Sequence, residues 1–127
     1  MRKITKILLL FGIITLVTFS CVEEDEPPCA CGVENPQENL EWLYILLQSK
    51  IISDSGIITE IYSIMYQEEE YIGIYISGSL SHRYNYYYDC SGNEICMYSG
   101  YDGDWTCEED FKNATNDKKL IYKIKND

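Results

Sequence analysis

The spacing of hydrophobic positions along the chain changes near Ile51. Before it, apolar residues recur at intervals of three and four, the spacing of one helix face: Leu40, Leu43, Leu47 and Ile51. After it, apolar and polar residues alternate with a period of two, as in strands whose two faces differ. The change predicts an α+β fold, in which one N-terminal helix packs on a four- to five-stranded antiparallel sheet.

The predicted helix has a defined start. Asn35 is a candidate N-cap, Pro36 suits the first helical position, and Glu38 stands where a capping box places an acidic residue. Trp42 and Leu46 widen the apolar stripe. A stripe of this width is typical of a helix laid on a sheet.

Five later segments have the composition and alternation of strands, and turn residues separate them. They are 57–66, 71–77, 84–90, 94–98 and 120–124. In the second segment, Ile72, Ile74 and Ile76 alternate with Tyr71 and Tyr75. We expect the isoleucines to face the helix and the tyrosines to face water. Residues 108–113 are predicted to form a short helical turn.

The first 21 residues have the layout of a secretory signal. Arg2, Lys3 and Lys6 precede an apolar run over 7–19, and the small residue Ser20 stands before Cys21. The run is shorter than the about 20 residues that span a bilayer. A cysteine at this point resembles a bacterial lipoprotein signal, which implies cleavage after residue 20. It also implies acyl chains such as palmitate on Cys21, and attachment to a membrane.

Residues 21–34 are predicted to be a disordered acidic and proline-containing tether, and residues 35–127 a single domain. Four acidic residues, 23–26, directly follow Cys21 and its neighbour. They resemble the signal that sends Bacteroidota lipoproteins to the cell surface, although a generic solvated linker has the same composition. The expected location is the bacterial cell envelope, as an outer-membrane lipoprotein that is either periplasmic or surface-exposed.

The net charge disfavours one class of partner. It is −11 for the chain, and removal of Arg2, Lys3 and Lys6 with the signal makes it −14. Such a surface repels nucleic-acid phosphates and anionic lipid headgroups. We therefore expect no nucleic-acid partner, and membrane attachment through the lipid alone.

Six cysteines fit an oxidising, exported environment. Acylation of Cys21 would leave five, so that two disulfides form at most and one thiol remains. Cys29 and Cys31 are too closely spaced for a usual zinc motif, and the chain has a single histidine, His82. We expect no metal and no cofactor.

No set of residues in the sequence identifies a catalytic centre. Ser81 and His82 are adjacent, and adjacent strand residues point to opposite faces. Asp102 and Asp104 offer two oxygen ligands, but a calcium loop does not follow them, and a Gly/Asp turn is the favoured interpretation. A cation at this loop is left open. The sequence predicts no catalytic residues.

Two discontinuous stretches resemble a family of small uncharacterised Bacteroidota lipoproteins. Residues 34–36 (ENP) with 40–43 (LEWL) are similar to its ENPLxxLPWL helix. Residues 88–96 (YDCSGNEIC), 99–100 (SG) and 103–107 (GDWTC) with Phe111 are similar to its later YDxDGNxIC…SGG…GDGxC…DF segment. Glu41 and Tyr101 replace a proline and a glycine of that pattern. The family implies no known reaction.

The resemblance also implies a disulfide between Cys96 and Cys107. A bridge across this short loop would stabilise the domain by roughly 3 kcal/mol. Cys90 would then pair with either Cys29 or Cys31, and the other of those two would be the leftover thiol.

Two classes of function remain. The first is a non-enzymatic binding module, a monomer that recognises a protein or glycan through a tyrosine-rich strand face: Tyr71, Tyr75, Tyr84, Tyr86 and Tyr88. The alternative is a small envelope hydrolase or an enzyme inhibitor. A hydrolase would draw an acid/base pair from carboxylates such as Asp89, Asp102 and Asp104, and nothing in the sequence selects two of them. The binding module is the favoured hypothesis.

Overall fold

A computed structural model describes residues 26–49, 58–78, 83–100 and 102–125. Its elements follow the chain in this order: β1 (Cys29–Ala30), β2 (Val33–Glu34), α1 (Pro36–Asn39), α2 (Glu41–Leu47), β3 (Ile58–Tyr66), β4 (Glu69–Ser77), β5 (Arg83–Asp89), β6 (Glu94–Ser99), β7 (Asp104–Trp105), α3 (Glu109–Ala114), a 3₁₀ turn (Thr115–Asp117) and β8 (Lys119–Lys125). The fold is α+β, as the change of period predicts.

An antiparallel sheet forms the centre of the described domain, with strand order β7-β6-β5-β4-β3-β8. Its six strands exceed the four to five expected, because β7 adds a two-residue strand within the segment expected to be a loop. A separate two-stranded sheet, β1-β2, lies within residues expected to belong to the tether. The five longer strands agree with the predicted segments to within two residues at each described end.

The single N-terminal helix predicted from the apolar stripe is wrong in detail. Leu40 has an extended backbone (φ −89°, ψ 107°) and separates two short helices, α1 and α2. Asn35 precedes α1 in the left-handed region (φ 47°) and makes no side-chain cap, so the predicted capping box is absent. The Asn39 amide instead donates to the carbonyl oxygen of Glu34 at 2.7 Å. The apolar stripe survives this break because Leu40 and Leu43 both pack on the same core.

The sheet carries a core on each face. On one face, Leu43 of α2 packs with buried strand residues and with Ala30: Ile61, Ile72, Ile74 and Ile121. On the other, Phe111 of α3 packs with Ile64, Tyr87 and Cys96. The expectation that this second face meets water is therefore wrong, because α3 covers part of it.

A disulfide ties the N-terminal hairpin to the sheet. Cys31 is bonded to Cys90, with 5.5 Å between the Cα atoms, and Ala30 is only 1% exposed. Residues 29–34 are thus part of the folded domain, and the predicted tether boundary at 34 is too late. The backbone N–H of Cys31 donates to the Glu70 carboxylate at 2.6 Å, which fixes the hairpin further.

The second disulfide joins Cys96 to Cys107 and confirms the pair that the family resemblance implied. Cys29 is disulfide-bonded as well, and its partner lies outside the described residues. The expectation that either Cys29 or Cys31 remains a free thiol is therefore wrong. Loop-spanning covalent ties of this kind suit a domain with a small core.

Among the described helices, none has the length and apolar composition that crossing a membrane requires. The predicted signal, Cys21, and the Ser81–His82 pair lie outside the described residues.

Candidate functional site

The five tyrosines expected to share one face are divided between two. Across the β4–β5 pair, Tyr84, Tyr86 and Tyr88 lie opposite Ile76, Ile74 and Ile72, while Tyr71 and Tyr75 lie opposite Asp89 and Asn85. Residues directly opposite each other in antiparallel strands point to the same face. Three of the tyrosines therefore share the α2 face with the isoleucines, and the other two share the α3 face. The predicted single tyrosine face is wrong.

Tyr71 and Tyr75 belong to an aromatic cluster beneath α3. The Tyr71 ring lies edge-on to Phe111, with 5.3 Å between centroids. The Tyr75 ring lies edge-on to Tyr87 at 5.9 Å, and the Tyr87 hydroxyl donates to that of Tyr75 at 3.1 Å. Burial raises the pKa of Tyr75 and, to a smaller extent, of Tyr71. These two rings stabilise the fold.

The other tyrosines border a groove beside the end of α2. Its volume is about 180 Å³, and its lining is largely apolar: Leu46, Ser49, Ile74, Ile76, Tyr86, Tyr88 and Glu94. The isoleucines come from β4, the tyrosines from β5 and the leucine from α2. A concave apolar surface with a few polar groups is the usual form of a small-ligand site.

Glu94 sets the electrostatics of this groove. It lies opposite Tyr88 in the β5–β6 pair, just after a register shift between Tyr87 and Tyr88. Burial raises the pKa of Tyr88 to about 12, and the negative charge of Glu94 and the hydrogen bond that the phenol donates to it add to the effect. Burial also raises the pKa of Tyr86, and the negative charge of Glu94 is the second cause. Both phenols are therefore neutral hydrogen-bond donors at pH 7, and Glu94 is an exposed carboxylate at the rim.

Ser49 contributes an unsatisfied polar atom to the same groove. Its Oγ is buried and has no hydrogen-bond partner among the described residues. A buried hydroxyl without a partner is costly, so a donor or acceptor that reaches it gains free energy. A ligand in the groove could provide that partner.

A second depression lies on the α3 face, next to the Cys96–Cys107 disulfide. Its volume is about 320 Å³, and among its lining residues are Tyr66, Tyr71 and Phe111. Polar and apolar atoms line it in similar amounts and it is more open than the groove. It is the weaker candidate, because an apolar ligand would remain largely in water there.

One cluster of metal-ligating side chains occurs in the described part of the chain. Single donor atoms of Cys31, Glu70 and Cys90 lie within 4.8 Å of one another. The two sulfur atoms form a disulfide, and a metal requires thiolates. The Glu70 carboxylate is also engaged, since it accepts from Cys31 N–H and from the Ser63 hydroxyl. The cluster thus acts as a structural link between the hairpin and the sheet.

Among the carboxylates considered for catalysis, Asp89 is engaged within its own turn. Both oxygens of Asp89 accept hydrogen bonds within its own turn, from Ser91 N–H, Asn93 N–H and the Asn93 amide, each at 2.9 Å. These bonds hold the pKa of Asp89 below its ordinary value. Asp102 and Asp104 are exposed, and neither belongs to a metal-ligating cluster within the described residues. Asp89 is a turn-forming residue.

Sequence reasoning missed five of the seven described groove residues as site residues. Leu46, Ile74 and Ile76 were expected to be core residues, and Ser49 carried no signal. Glu94 was placed at the start of a strand, but it lies on the same face as Tyr88 only because the β5–β6 register shifts between Tyr87 and Tyr88. The pattern of tyrosines at 84, 86 and 88 was the usable signal, because residues two apart on a strand share a face.

Comparisons with protein-family models, curated proteins and solved structures found no match. The resemblance to small Bacteroidota lipoproteins therefore remains a sequence-based expectation.

Proposed function

We propose that the protein is a non-enzymatic binding module, which holds an apolar group of its ligand in the groove between α2 and strands β4 and β5. The observation that carries the proposal is the cavity of about 180 Å³ lined by Ile74, Ile76, Tyr86 and Tyr88. A cavity of roughly 150 Å³ lined by apolar side chains accommodates benzene. The groove is therefore large enough for one aromatic ring or a branched aliphatic group.

The chemistry of the lining supports binding over catalysis. Glu94 is the only carboxylate among the described residues that line the groove, and the two phenols beside it have raised pKa values. A hydrolase requires a second acid or base, or a nucleophile activated by a base. The groove supplies hydrogen-bond donors and apolar contact, which are the groups that position a ligand.

We further propose that this module is an exported lipoprotein held on a membrane through acyl chains on Cys21. The folded part begins at Cys29, so the proposed tether comprises residues 22–28. Seven extended residues span at most about 25 Å. The groove would then work close to the bilayer surface, in the bacterial cell envelope.

Titration with 2-phenylethanol, a neutral probe with one aromatic ring, tests the groove. We expect saturable NMR chemical-shift changes at Leu46, Ile74 and Ile76. Ile76→Trp fills the groove and should abolish them. Leu120→Trp, at a position 49% exposed on β8, is the matched control and should preserve them. Urea unfolding establishes beforehand that both variants are folded.

Shifts that do not saturate, or that persist in Ile76→Trp, would contradict the groove as the binding site. Shifts confined to Tyr66, Tyr71 and Phe111 would assign binding to the depression on the α3 face instead.

A further inference from the structure

We infer that the ligand of the groove is a protonated organic amine, whose apolar body fills the cavity and whose ammonium group lies at Glu94. This inference rests on the proposed function, since it specifies the chemistry of the ligand in the same groove. Three observations point to a cation.

The first observation is charge. Glu94 is exposed at the rim, and no lysine, arginine or histidine is among the described residues that line the groove. The phenols of Tyr86 and Tyr88 remain neutral at pH 7, so the net charge of the described lining is that of Glu94. An anionic ligand would be repelled by this carboxylate, whereas a cation would neutralise it.

The second observation is the aromatic wall. The Tyr86 ring stacks with Tyr84 at 6.4 Å between centroids, and the Tyr88 ring packs against Trp42 at 5.3 Å. Aromatic faces carry negative charge density and attract ammonium groups within about 6 Å. A cation entering between these rings and Glu94 would gain both interactions.

The third observation is the orphaned hydroxyl. Ser49 Oγ is buried without a partner among the described residues and lines the same cavity as Glu94. An ammonium group has three N–H donors, so it can serve both the Ser49 hydroxyl and the Glu94 carboxylate. A neutral alcohol can donate to the carboxylate and accept from the Ser49 hydroxyl, but it has no positive charge to pair with Glu94.

On the opposite face of the sheet, lysine side chains of this chain lie beside aromatic rings and a carboxylate. Lys118 Nζ lies 5.1 Å from the centroid of Tyr62 and 5.4 Å from that of Tyr75, and Lys112 Nζ lies 5.3 Å from Trp105. Lys123 pairs with Glu60 at 2.9 Å beside Tyr62. On the α3 face, tyrosines and a carboxylate thus hold lysines of this chain. The groove presents tyrosines and a carboxylate, and no described basic residue lines it.

Three probes with one aromatic ring and different head groups test the inference: phenethylamine, 2-phenylethanol and phenylacetate. Each is titrated into the folded protein at pH 7 and low salt, and the shifts of Ile74 and Ile76 are followed. We expect phenethylamine to bind about tenfold more tightly than 2-phenylethanol, from one ion pair and one cation–π contact. Phenylacetate should bind more weakly than the alcohol.

Glu94→Gln keeps the shape of the side chain and one of its acceptor oxygens and removes its charge. We expect it to reduce the preference for the amine over the alcohol from about tenfold to about twofold, the remainder coming from the rings. Glu68→Gln, in the exposed β3–β4 turn, removes the same charge from the chain and should leave the preference unchanged.

The outcomes separate the two proposals. Equal binding of the amine and the alcohol, or an unchanged preference in Glu94→Gln, would overturn the amine inference and leave the groove as an apolar site. Failure of all three probes to shift the groove residues would overturn the groove as well.

Discussion

The indole of Trp42 lies directly against the backbone of Gly92, in the turn between β5 and β6. A Cβ atom placed on Gly92 would stand 2.6 Å from Cγ of Trp42, and φ of Gly92 is +87°. The Trp42 Nε1–H also donates to the carbonyl oxygen of Cys90 at 3.1 Å. Helix α2 is therefore fixed to the tip of a hairpin through a contact that leaves no room for a side chain.

Gly92→Ala should reduce the free energy of unfolding by about 2–4 kcal/mol. The left-handed backbone costs a non-glycine residue about 1–2 kcal/mol, and the clash with the indole adds to it. Gly103→Ala is the control, because Gly103 has φ +69° and nothing within 4 Å of the added Cβ. Urea denaturation should show a loss of only about 1–2 kcal/mol for the control, the backbone cost alone. Equal losses in the two variants would mean that the indole moves aside at no cost.

The turn between β3 and β4 has a conformation that its residues disfavour. Gln67 and Glu68 both have positive φ, 50° and 64°, between the paired residues Tyr66 and Glu69. A two-residue hairpin turn of this kind favours glycine at its second position. Glu68→Gly should therefore stabilise the protein by about 0.5–1 kcal/mol in urea denaturation. Glu69→Gly, one residue later in strand β4, should destabilise it, and stabilisation by both would refute the role of the turn.

The two described disulfides should differ in their contribution to stability. They close loops with sequence separations of 59 and 11 residues. In the chain-entropy model, removing Cys31–Cys90 costs about 4 kcal/mol and removing Cys96–Cys107 about 3 kcal/mol. Urea unfolding of Cys31→Ser/Cys90→Ser and of Cys96→Ser/Cys107→Ser measures which variant loses more free energy of unfolding. A smaller loss for Cys31→Ser/Cys90→Ser would indicate that the unfolded chain is already compact around that loop.

Stability should fall in acid through Glu60 and Asp89. Tyr62 donates to Glu60 at 2.7 Å and Lys123 lies at 2.9 Å, and these partners lower the pKa of Glu60 below 4.5. Hydrogen bonds from Asn93 and its neighbours similarly lower the pKa of Asp89 below 3.8. A lowered pKa in the folded state means that the carboxylate contributes fully above its ordinary pKa, and that this contribution is lost as the pH falls through the folded value.

Urea midpoints measured between pH 6 and pH 2 test this sign. Glu60→Gln and Tyr62→Phe should each flatten the decline below pH 4.5, since the first removes the titrating group and the second its strongest partner. A decline as steep as that of the unmodified protein in both variants would exclude Glu60 as a contributor.

The lipid anchor predicts that the full chain is found with membranes in a lipoprotein-processing bacterium and that Cys21→Ala is not. A soluble wild-type protein would contradict the anchor, as would a Cys21→Ala variant that stays with membranes after uncleaved precursor is excluded. Neither result depends on the ligand of the groove.

The disulfide of Cys29 gives the anchor a second test. The four other described cysteines pair with one another, and Cys29 is itself disulfide-bonded. A sulfur that carries a lipid cannot also form a disulfide. Acylation of Cys21 therefore predicts that non-reducing peptide mapping of the membrane-bound protein recovers no peptide in which Cys21 is linked to Cys29. A linked Cys21–Cys29 peptide would refute acylation.

The long strands could be predicted from the sequence because their signals are local. Alternation and turn residues place β4 at 71–77, against Glu69–Ser77 in the structure, and β6 at 94–98, against Glu94–Ser99. The short elements could not be predicted in this way. Strand β7 has only two residues. The Cys96–Cys107 disulfide and hydrogen bonds between Thr106 and Met97 hold it beside β6.

The groove was only partly accessible to sequence reasoning. Tyr86 and Tyr88 were identified as candidate binding residues, but Tyr71 and Tyr75 were grouped with them. Residue type alone does not show which face a strand residue occupies, because the face depends on the register between β4 and β5. The register depends on how two strands pair and cannot be read from either strand alone. Which face is covered depends on α3, which follows later in the chain.

The strand order also dictates when the sheet can be completed. Strands β3 to β7 pair as consecutive neighbours, so each hairpin can form as soon as its own residues are available. Strand β8 instead returns past four strands to pair with β3. Until then the nine-residue edge of β3 is open to other chains. A polypeptide that emerges N-terminus first would carry this exposed edge while residues 67–118 emerge, and its aggregation would depend on how soon β8 follows.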